Sequence, residues 1–255
     1  MNKKTAGDLI MNARGQLVGR YGQAILVIVV ALALNLLVGS FADFAYTGTL
    51  SSYIFRVIIL IIIDLLLGVL IFGEDRYFLN LARGTQGLSP AELFYGIKNS
   101  TDKAICLQAV YTLVSVITII PSVYLSFFVV LTERQAAIAG LLIRLFALIM
   151  ILVVKMFFGL CFYILSDKPE LSFTEILAES NRLMAGNRLK FLFLVFRMIP
   201  FMILGCFAFV FGIFWPVAIY RTALANFYLD TIGEEPYNPL TQEESQKADT
   251  SQPLI

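Results

Sequence analysis

The sequence repeats a helix-starting hexapeptide three times, as TAGDLI at residues 5–10, SPAELF at residues 89–94 and SFTEIL at residues 172–177. Each copy has a hydroxyl residue, an acid three positions later and then two apolar residues. In this arrangement, the capping box, the hydroxyl accepts a hydrogen bond from a backbone N–H at the start of a helix, and the acid reaches back to the capping residue. The nearly equal spacing of the copies predicts three repeats of one structural unit.

Long apolar stretches follow each copy. Apolar residues form 59% of the 255 residues and charged residues only 15%, whereas about a quarter of the residues in soluble domains are charged. A stretch of about 18 or more apolar residues is long enough to cross a bilayer as a helix. The sequence predicts six such crossings, at about residues 24–39, 54–72, 104–131 and 136–165, with a last stretch, 191–229, that divides in two near Gly212 and Pro216.

The first of these stretches admits another interpretation. It is followed by the small residues Gly39 and Ser40, as the apolar part of a secretory signal peptide would be. The region before it is long and contains the first hexapeptide, which cleavage would remove. We therefore expect a first helix that is retained.

Together these patterns predict an all-α fold, a polytopic membrane helix bundle of about six transmembrane helices in three repeats of an amphipathic helix plus a hairpin. Residues 1–232 are expected to form a single integral membrane domain, with repeats at about 5–83, 89–167 and 172–231. Residues 233–255 are rich in acids, Pro, Gln, Ser and Thr, a composition with too little apolar surface to fold. They are expected to form a disordered acidic cytoplasmic tail.

The polar segments that begin at the hexapeptides have amphipathic spacing. In the first segment, Ala6, Leu9, Ile10 and Ala13 fall on one face of a helix, and the third segment has apolar residues at matching offsets. Such a face suits a helix that lies in the lipid headgroup layer. A solvated connecting helix is the alternative.

Basic residues are distributed unevenly among the polar segments. Segments 1–22, 73–103 and 166–190 contain four Lys or Arg residues each, whereas the opposite loops contain only Arg134. Segments rich in Lys and Arg stay on the cytoplasmic side of a membrane. The chain is therefore expected to be a multi-pass protein of the cytoplasmic membrane with both termini in the cytoplasm.

Four ionisable residues, Asp64, Lys155, Arg197 and Arg221, lie deep within the apolar stretches. A charge at the centre of a bilayer costs about 2.5–3.5 kcal/mol on insertion scales, so such residues usually face the protein and find partners. Three bases against one acid predict an intramembrane polar site for an anion or an anionic lipid headgroup. The alternative is that Asp64 pairs with Lys155 or Arg221 while Arg197 extends toward the cytoplasmic interface.

The sequence lacks the residue types and motifs of common catalytic and metal-binding sites. His is absent, and no Gly-rich phosphate loop, zinc-protease motif or esterase motif occurs. We therefore expect no catalytic residues, no metal site, no cofactor and no enzymatic activity. The net charge of +1 gives no reason to expect nucleic acid as a partner, and the three cysteines are expected to be small buried apolar residues.

Other polar and aromatic side chains have simple explanations. Glu74 and Asp75 are expected to pair with the adjacent Arg76. Aromatic residues at the ends of the last apolar helix are expected in the interfacial belts of the membrane, with a stacking site for a ligand as the alternative; they are Trp215, Tyr220, Phe227 and Tyr228.

Several short motifs suggest a family. ESNRLMAGNR at residues 179–188 and YFLNLARG at residues 77–84, followed by LFYG at residues 93–96, resemble motifs of a bacterial family of integral membrane proteins called domain of unknown function 975. At the end of the first motif, the resemblance is carried by Gly186, Asn187 and Arg188. Around the last apolar helix, the family pattern is matched by Trp215, Pro216, Tyr220, Asn226 and Tyr228. The resemblance implies a multi-pass helical protein of the bacterial cytoplasmic membrane, with no established catalytic residues.

The chain is also similar, more weakly, to the membrane part attached to some bacterial glycerophosphodiester phosphodiesterases, which suggests work on or with lipids. We therefore expect a lipid- or membrane-interacting scaffold or accessory protein. Its expected partners are membrane lipids, including anionic headgroups at the cytoplasmic face, while protein partners are not indicated. A transporter or permease for a small or anionic solute is the alternative, because buried charge and internal repeats are common in transporters.

Overall fold

The computed structural model describes residues 4–44, 47–130, 132–207 and 212–237, with the side chain of Ser126 excepted. Every regular element in this part of the chain is helical. The helices are α1 Ala6–Leu17, α2 Tyr21–Asp43, α3 Leu50–Ala82, a 3-10 helix Pro90–Phe94, α4 Tyr95–Lys98, α5 Thr101–Phe128, α6 Glu133–Phe158, α7 Cys161–Asp167, α8 Phe173–Met184, α9 Arg188–Phe207 and α10 Phe214–Ile232.

Two of the three hexapeptides begin helices as predicted. Thr5 and Asp8 form a complete capping box at α1, with Asp8 N donating to Thr5 Oγ1 over 3.3 Å and Thr5 N donating to Asp8 Oδ2 over 2.8 Å. Ser172 and Glu175 make the same reciprocal bonds, of 3.4 Å and 2.8 Å, at α8. These hydrogen bonds to the backbone and side chain of the capping residue lower the pKa of both acids.

The second hexapeptide differs. Its acid, Glu92, accepts a hydrogen bond from Arg76 Nε over 3.1 Å instead of reaching back to Ser89. Ser89 Oγ accepts from Ala91 N over 3.3 Å, and the segment that follows is the short 3-10 helix. The expectation of a capping box is wrong at this copy because an ion pair holds the acid, and the proposed three-fold repeat stays a prediction.

Within the described residues, five helical segments are long and apolar enough to cross a membrane: α2, α3, α5, the segment Glu133–Asp167 that contains α6 and α7, and α9. The sixth predicted crossing corresponds to α10, which is not among these five candidates. Eleven of the residues of α10 are buried, and the helix carries Arg221, Asn226 and Asp230, which lower its hydropathy. The apolar helices indicate a membrane protein.

The surface of the candidate spans supports this conclusion. None of the residues of α6 is buried, and large side chains such as Leu141, Leu145 and Leu148 are more than half exposed. Two of the cysteines expected to be buried, Cys106 on α5 and Cys206 on α9, are also exposed, because they lie on outward faces of candidate spans. A face this apolar is stable against lipid tails rather than against water.

The chain divides into two compact units. Unit one contains residues 1–30, 73–93 and 185–255, and in it α10 packs against α1 and α9. Its core is formed by fully buried apolar side chains of these helices, among them Leu9, Ala13, Leu17, Leu194, Ala218, Ala225 and Leu229.

Unit two contains residues 31–72 and 94–184. In this unit α5 packs against α6 and α7, and α8 packs against α6 and α7. Tyr111 of α5 donates from its hydroxyl to the carbonyl of Phe158 over 2.7 Å, and Ser180 of α8 donates to the carbonyl of Phe157 over 3.0 Å. These bonds satisfy carbonyls at the end of α6, where the helix can no longer do so itself.

The first residues of the expected disordered tail are held in place. Gly233 ends α10 with a φ of 80°, Glu234 Oε2 lies 2.7 Å from Arg83 Nη2, and the backbone N–H of Tyr237 donates to the carbonyl of Ala82 over 2.9 Å. The ring of Tyr237 covers Gly84, where a Cβ would lie only 2.5 Å from it. Glu234 and Tyr237 are therefore anchored at the end of α3; residues 238–255 lie outside the described part of the chain, and the disordered tail stays a prediction.

Candidate functional site

A cleft of about 620 Å³ lies between the start of α1 and the first half of α9 in unit one. We call it the basic cleft; its lining residues are Thr5, Ala6, Gly7, Leu189, Lys190, Phe193, Phe196 and Arg197. Spacings of three and four along α9 place Leu189, Phe193, Phe196 and Arg197 on one side of the helix. The other side is anchored in the core by Phe191, Leu194 and Met198.

Arg197 is an ionisable residue of the cleft whose charge is accessible. Its side chain is exposed, and among the residues that the structure describes it has no hydrogen bond or ion pair. The guanidinium carbon lies 3.5 Å from the position that a Cβ on Gly7 would occupy. The first turn of a helix carries partial positive charge, but at α1 the carboxylate of Asp8 accepts from the backbone N–H of Thr5 and offsets it. Arg197 is therefore the source of positive potential that the cleft presents.

The second base of the cleft, Lys190, is neutralised. Its Nζ pairs with Asp230 of α10, and the backbone N–H of Lys4 donates to the same carboxylate over 3.1 Å. The Lys190 ammonium also lies 5.9 Å from the centre of the Phe227 ring. Asp230 therefore joins α1, α9 and α10 and leaves the charge of Arg197 available.

Arg221, another predicted site residue, serves an internal ion pair. Its guanidinium donates to Glu74 Oε2 over 3.0 Å and to Asp75 Oδ1 over 3.2 Å. Both acids are buried. Arg76, the partner expected from the sequence, forms an ion pair with Glu92, and both buried acids face the guanidinium of Arg221 on α10.

Asn226, one of the residues that carry the family resemblance, forms a buried amide pair with Gln16 of α1. Gln16 Nε2 donates to Asn226 Oδ1 over 3.1 Å, and Asn226 Nδ2 donates to Gln16 Oε1 over 3.0 Å. Gln16 Nε2 also lies 3.2 Å from the carbonyl of Ala82 and 2.6 Å from that of Tyr237. This pair was not predicted, although a glutamine on the apolar face of α1 is a signal that a buried polar partner exists.

Several other residues of the resemblance lie at a turn, at the start of α9 or in a packing contact between helices. Gly186 has a φ of 81° in the turn between α8 and α9, Asn187 is buried just before α9, and Arg188 begins that helix. Pro216 packs where Gly205 leaves room, since a Cβ on Gly205 would lie 2.9 Å from its ring.

The expectation of an interfacial aromatic belt fails for two of the four residues and stays a prediction for the others. Phe227 and Tyr228 are buried in unit one, because α10 is a core helix there, whereas Trp215 is 43% exposed and Tyr220 is half-buried. Arg14 of α1 lies 5.9 Å from the centre of the Trp215 ring and 4.6 Å from that of Phe201, within the range of a cation–π contact.

Asp64 in unit two has neutral partners. Its Oδ2 accepts from Thr112 Oγ1 over 2.6 Å and its Oδ1 accepts from Gln108 Nε2 over 3.2 Å, and no ion pair to it occurs within the described ranges. The expected pairing with Lys155 is not found; Lys155 lies in the last turn of α6, where its carbonyl accepts from Gly159 N over 2.9 Å. A hydroxyl and an amide on α5 take the place of the expected base.

The sequence model of a family described as "Protein of unknown function (DUF975)" matches residues 1–234. No curated protein and no solved structure matches the chain. The family match spans most of both units and every helix of the described residues, and the chain therefore belongs to DUF975, a family of proteins of unknown function.

Proposed function

We propose that this protein is a membrane accessory protein that binds an anionic lipid, and that the basic cleft receives the headgroup. The observation that carries the proposal is the guanidinium of Arg197, which has no partner among the described residues and lies in a cleft whose other walls are largely apolar. A phosphate oxygen pair matches the planar donors of a guanidinium better than it matches any other side chain. No catalytic step is part of the proposal.

The apolar residues of the cleft suit the rest of a lipid molecule. Leu189, Phe193 and Phe196 are 67%, 66% and 54% exposed, and they continue along α9 toward its apolar second half. Acyl chains bound there would cover side chains that are otherwise left open. The volume of about 620 Å³ lies within the ~300–1,000 Å³ common for small-molecule sites.

The proposed location is the bacterial cytoplasmic membrane, with both termini and the basic cleft on the cytoplasmic side. Its support is the uneven distribution of basic residues along the sequence. Anionic lipids of the inner leaflet attract basic residues near the surface by about 1 kcal/mol each. The start of α1 would then lie at the depth of the headgroups.

The first test compares two arginines. Full-length protein, purified gently, is analysed by native mass spectrometry after addition of phosphatidylglycerol. We expect R197Q to weaken retention of this lipid about tenfold, because a charge-assisted hydrogen bond contributes at least about 1.5 kcal/mol. R144Q is the control, since Arg144 is also an exposed arginine on a candidate span but lies outside the cleft. Equal retention by R197Q and the unchanged protein would contradict the proposal.

The second test fills the cleft without removing charge. A Cβ at Gly7 would make ordinary contact with Arg197, at 3.5 Å, so G7A is expected to bind lipid normally. The larger side chain of G7L would occupy the space beside the guanidinium and is expected to prevent binding. If G7L and G7A retain phosphatidylglycerol equally, the headgroup does not lie in the cleft.

A transporter or permease is the second candidate function. Its support is a separate cavity beside Asp64 in unit two. Uptake of a small solute into liposomes that contain the protein, combined with unchanged lipid retention by R197Q, would favour this function over lipid binding.

A further inference from the structure

The cavity beside Asp64 has a volume of about 230 Å³ and lies wholly within unit two. Its polar lining consists of Asn35 on α2, Asp64 on α3, and Thr112 and Ser115 on α5. Apolar side chains such as Leu60 and Ile119 form the remaining walls. We call this space the acidic cavity. It is distinct from the basic cleft in its residues and in the sign of its charge.

Hydrogen bonds from buried side chains hold the Asp64 carboxylate of the acidic cavity in place. Gln108 and Thr112, which donate to the two carboxylate oxygens of Asp64, are only 5% and 4% exposed. Gly68 makes this arrangement possible, because it lies one helical turn after Asp64 and a Cβ there would lie 2.4 Å from the Cβ of Gln108. Close approach of α3 and α5 at Gly68 therefore fixes the orientation of the carboxylate.

Asp64 brings an acid to the cavity, and no base pairs with it among the described residues. Asp64 lies near the middle of a candidate membrane span, and its two partners are neutral groups. Neutral donors offset only part of the cost of removing a carboxylate from water, and a positive group normally supplies the rest. Asn35 of α2 also lines the cavity; its side chain is exposed and makes no hydrogen bond within the part of the chain that the structure covers.

We infer that the acidic cavity binds a small organic ammonium ion with one apolar substituent. The ammonium group would donate to Asp64, to the amide oxygen of Asn35 and to the hydroxyl of Ser115, since an ammonium has three donors and no acceptor. The substituent would contact Leu60 and Ile119. An apolar cavity of about 150 Å³ holds benzene, so 230 Å³ holds a ring of that size together with the charged group.

The test is titration calorimetry of the detergent-solubilised full-length protein with benzylammonium. We expect D64N to weaken binding at least tenfold, because the substitution keeps the shape of the side chain and removes its charge. Benzyl alcohol, which has the same ring and no charge, is expected to bind at least tenfold more weakly than benzylammonium. D102N is the control variant, since Asp102 is an exposed acid at the start of α5 and does not line the cavity.

A second pair of variants tests the location if D64N is poorly folded. A Cβ at Gly39 meets no atom within 4 Å, and Gly39 lines the cavity. G39L is expected to fill the space and abolish binding, while G39A is expected to bind normally. Absence of benzylammonium binding to the unchanged protein, equal binding to D64N, or equal affinity for benzyl alcohol would overturn the inference.

Discussion

The amide pair of Gln16 and Asn226 gives the most direct test of what holds unit one together. In N226L the side chain keeps its approximate shape, but both reciprocal hydrogen bonds, of 3.1 Å and 3.0 Å, are lost. Gln16 Oε1 is then left without a donor at a residue that is only 3% exposed. Loss of the bonds and a stranded buried acceptor together lower the free energy of unfolding by about 2–4 kcal/mol.

The measurement is the equilibrium unfolding of detergent-solubilised protein on addition of a denaturing detergent, followed by circular dichroism. T222V is the matched control, because Thr222 is fully buried on the same helix and its hydroxyl donates only within α10, to Ala218. T222V is expected to lower the free energy of unfolding by about 1 kcal/mol or less.

A double-mutant cycle separates the pair from its surroundings. Q16M removes the other amide, and the combined variant Q16M/N226L leaves neither member stranded by the other. We expect the cost of the double variant to be at least 1 kcal/mol smaller than the sum of the single costs, within the range for directly contacting residues. A coupling energy near zero, or a loss below about 0.5 kcal/mol in N226L, would refute the conclusion that this pair joins α1 to α10.

Three further predictions concern other parts of the chain. G68A is expected to lower the free energy of unfolding by about 1–3 kcal/mol, measured in the same detergent titration, because a Cβ there would lie 2.4 Å from a side-chain carbon of α5; unchanged stability would contradict close packing of α3 and α5. Hydrogen bonding to Arg182 lowers the pKa of Glu179 from its usual 4.5 to about 2. The stability that the Glu179 carboxylate contributes is therefore present above about pH 4.5 and is lost as the pH falls toward 2. E179Q is expected to remove this part of the acid-induced fall in melting temperature. In a cysteine-free background, a cysteine at Gly48 is expected to react with an impermeant reagent outside intact cells and a cysteine at Glu235 is not, and labelling of position 235 would reject the proposed topology.

Local sequence patterns predicted where helices lie better than they predicted which residues those helices contact. Apolar length located every candidate span, and the spacing of Thr5 to Asp8 and of Ser172 to Glu175 located two helix starts. The same spacing failed at Ser89, because its acid is held by Arg76 from an earlier helix. A capping motif shows only that its residues can form a capping box. An ion pair with a residue elsewhere in the chain can prevent that box from forming.

The partners of buried polar groups were not predictable from the sequence. Gln16 and Asn226 are 210 positions apart, and nothing in the local pattern around either residue specifies the other. Asp64 was expected to need a base, yet Thr112 and Gln108 supply neutral hydrogen bonds from the next span. Which charge stays available in the basic cleft also depends on a distant residue, since Asp230 neutralises Lys190.

The order in which the chain is synthesised has a consequence for unit one. α1 emerges from the ribosome well before α10, the helix that covers the apolar face of α1. At about 5–20 residues per second, the roughly 200 intervening residues take on the order of 10–40 s to synthesise. During that time α1 needs a temporary partner for Leu9 and Leu17, such as the membrane surface or a chaperone. A chain that stops before Phe214 would keep this face uncovered and would be a substrate for proteases that remove incomplete membrane proteins.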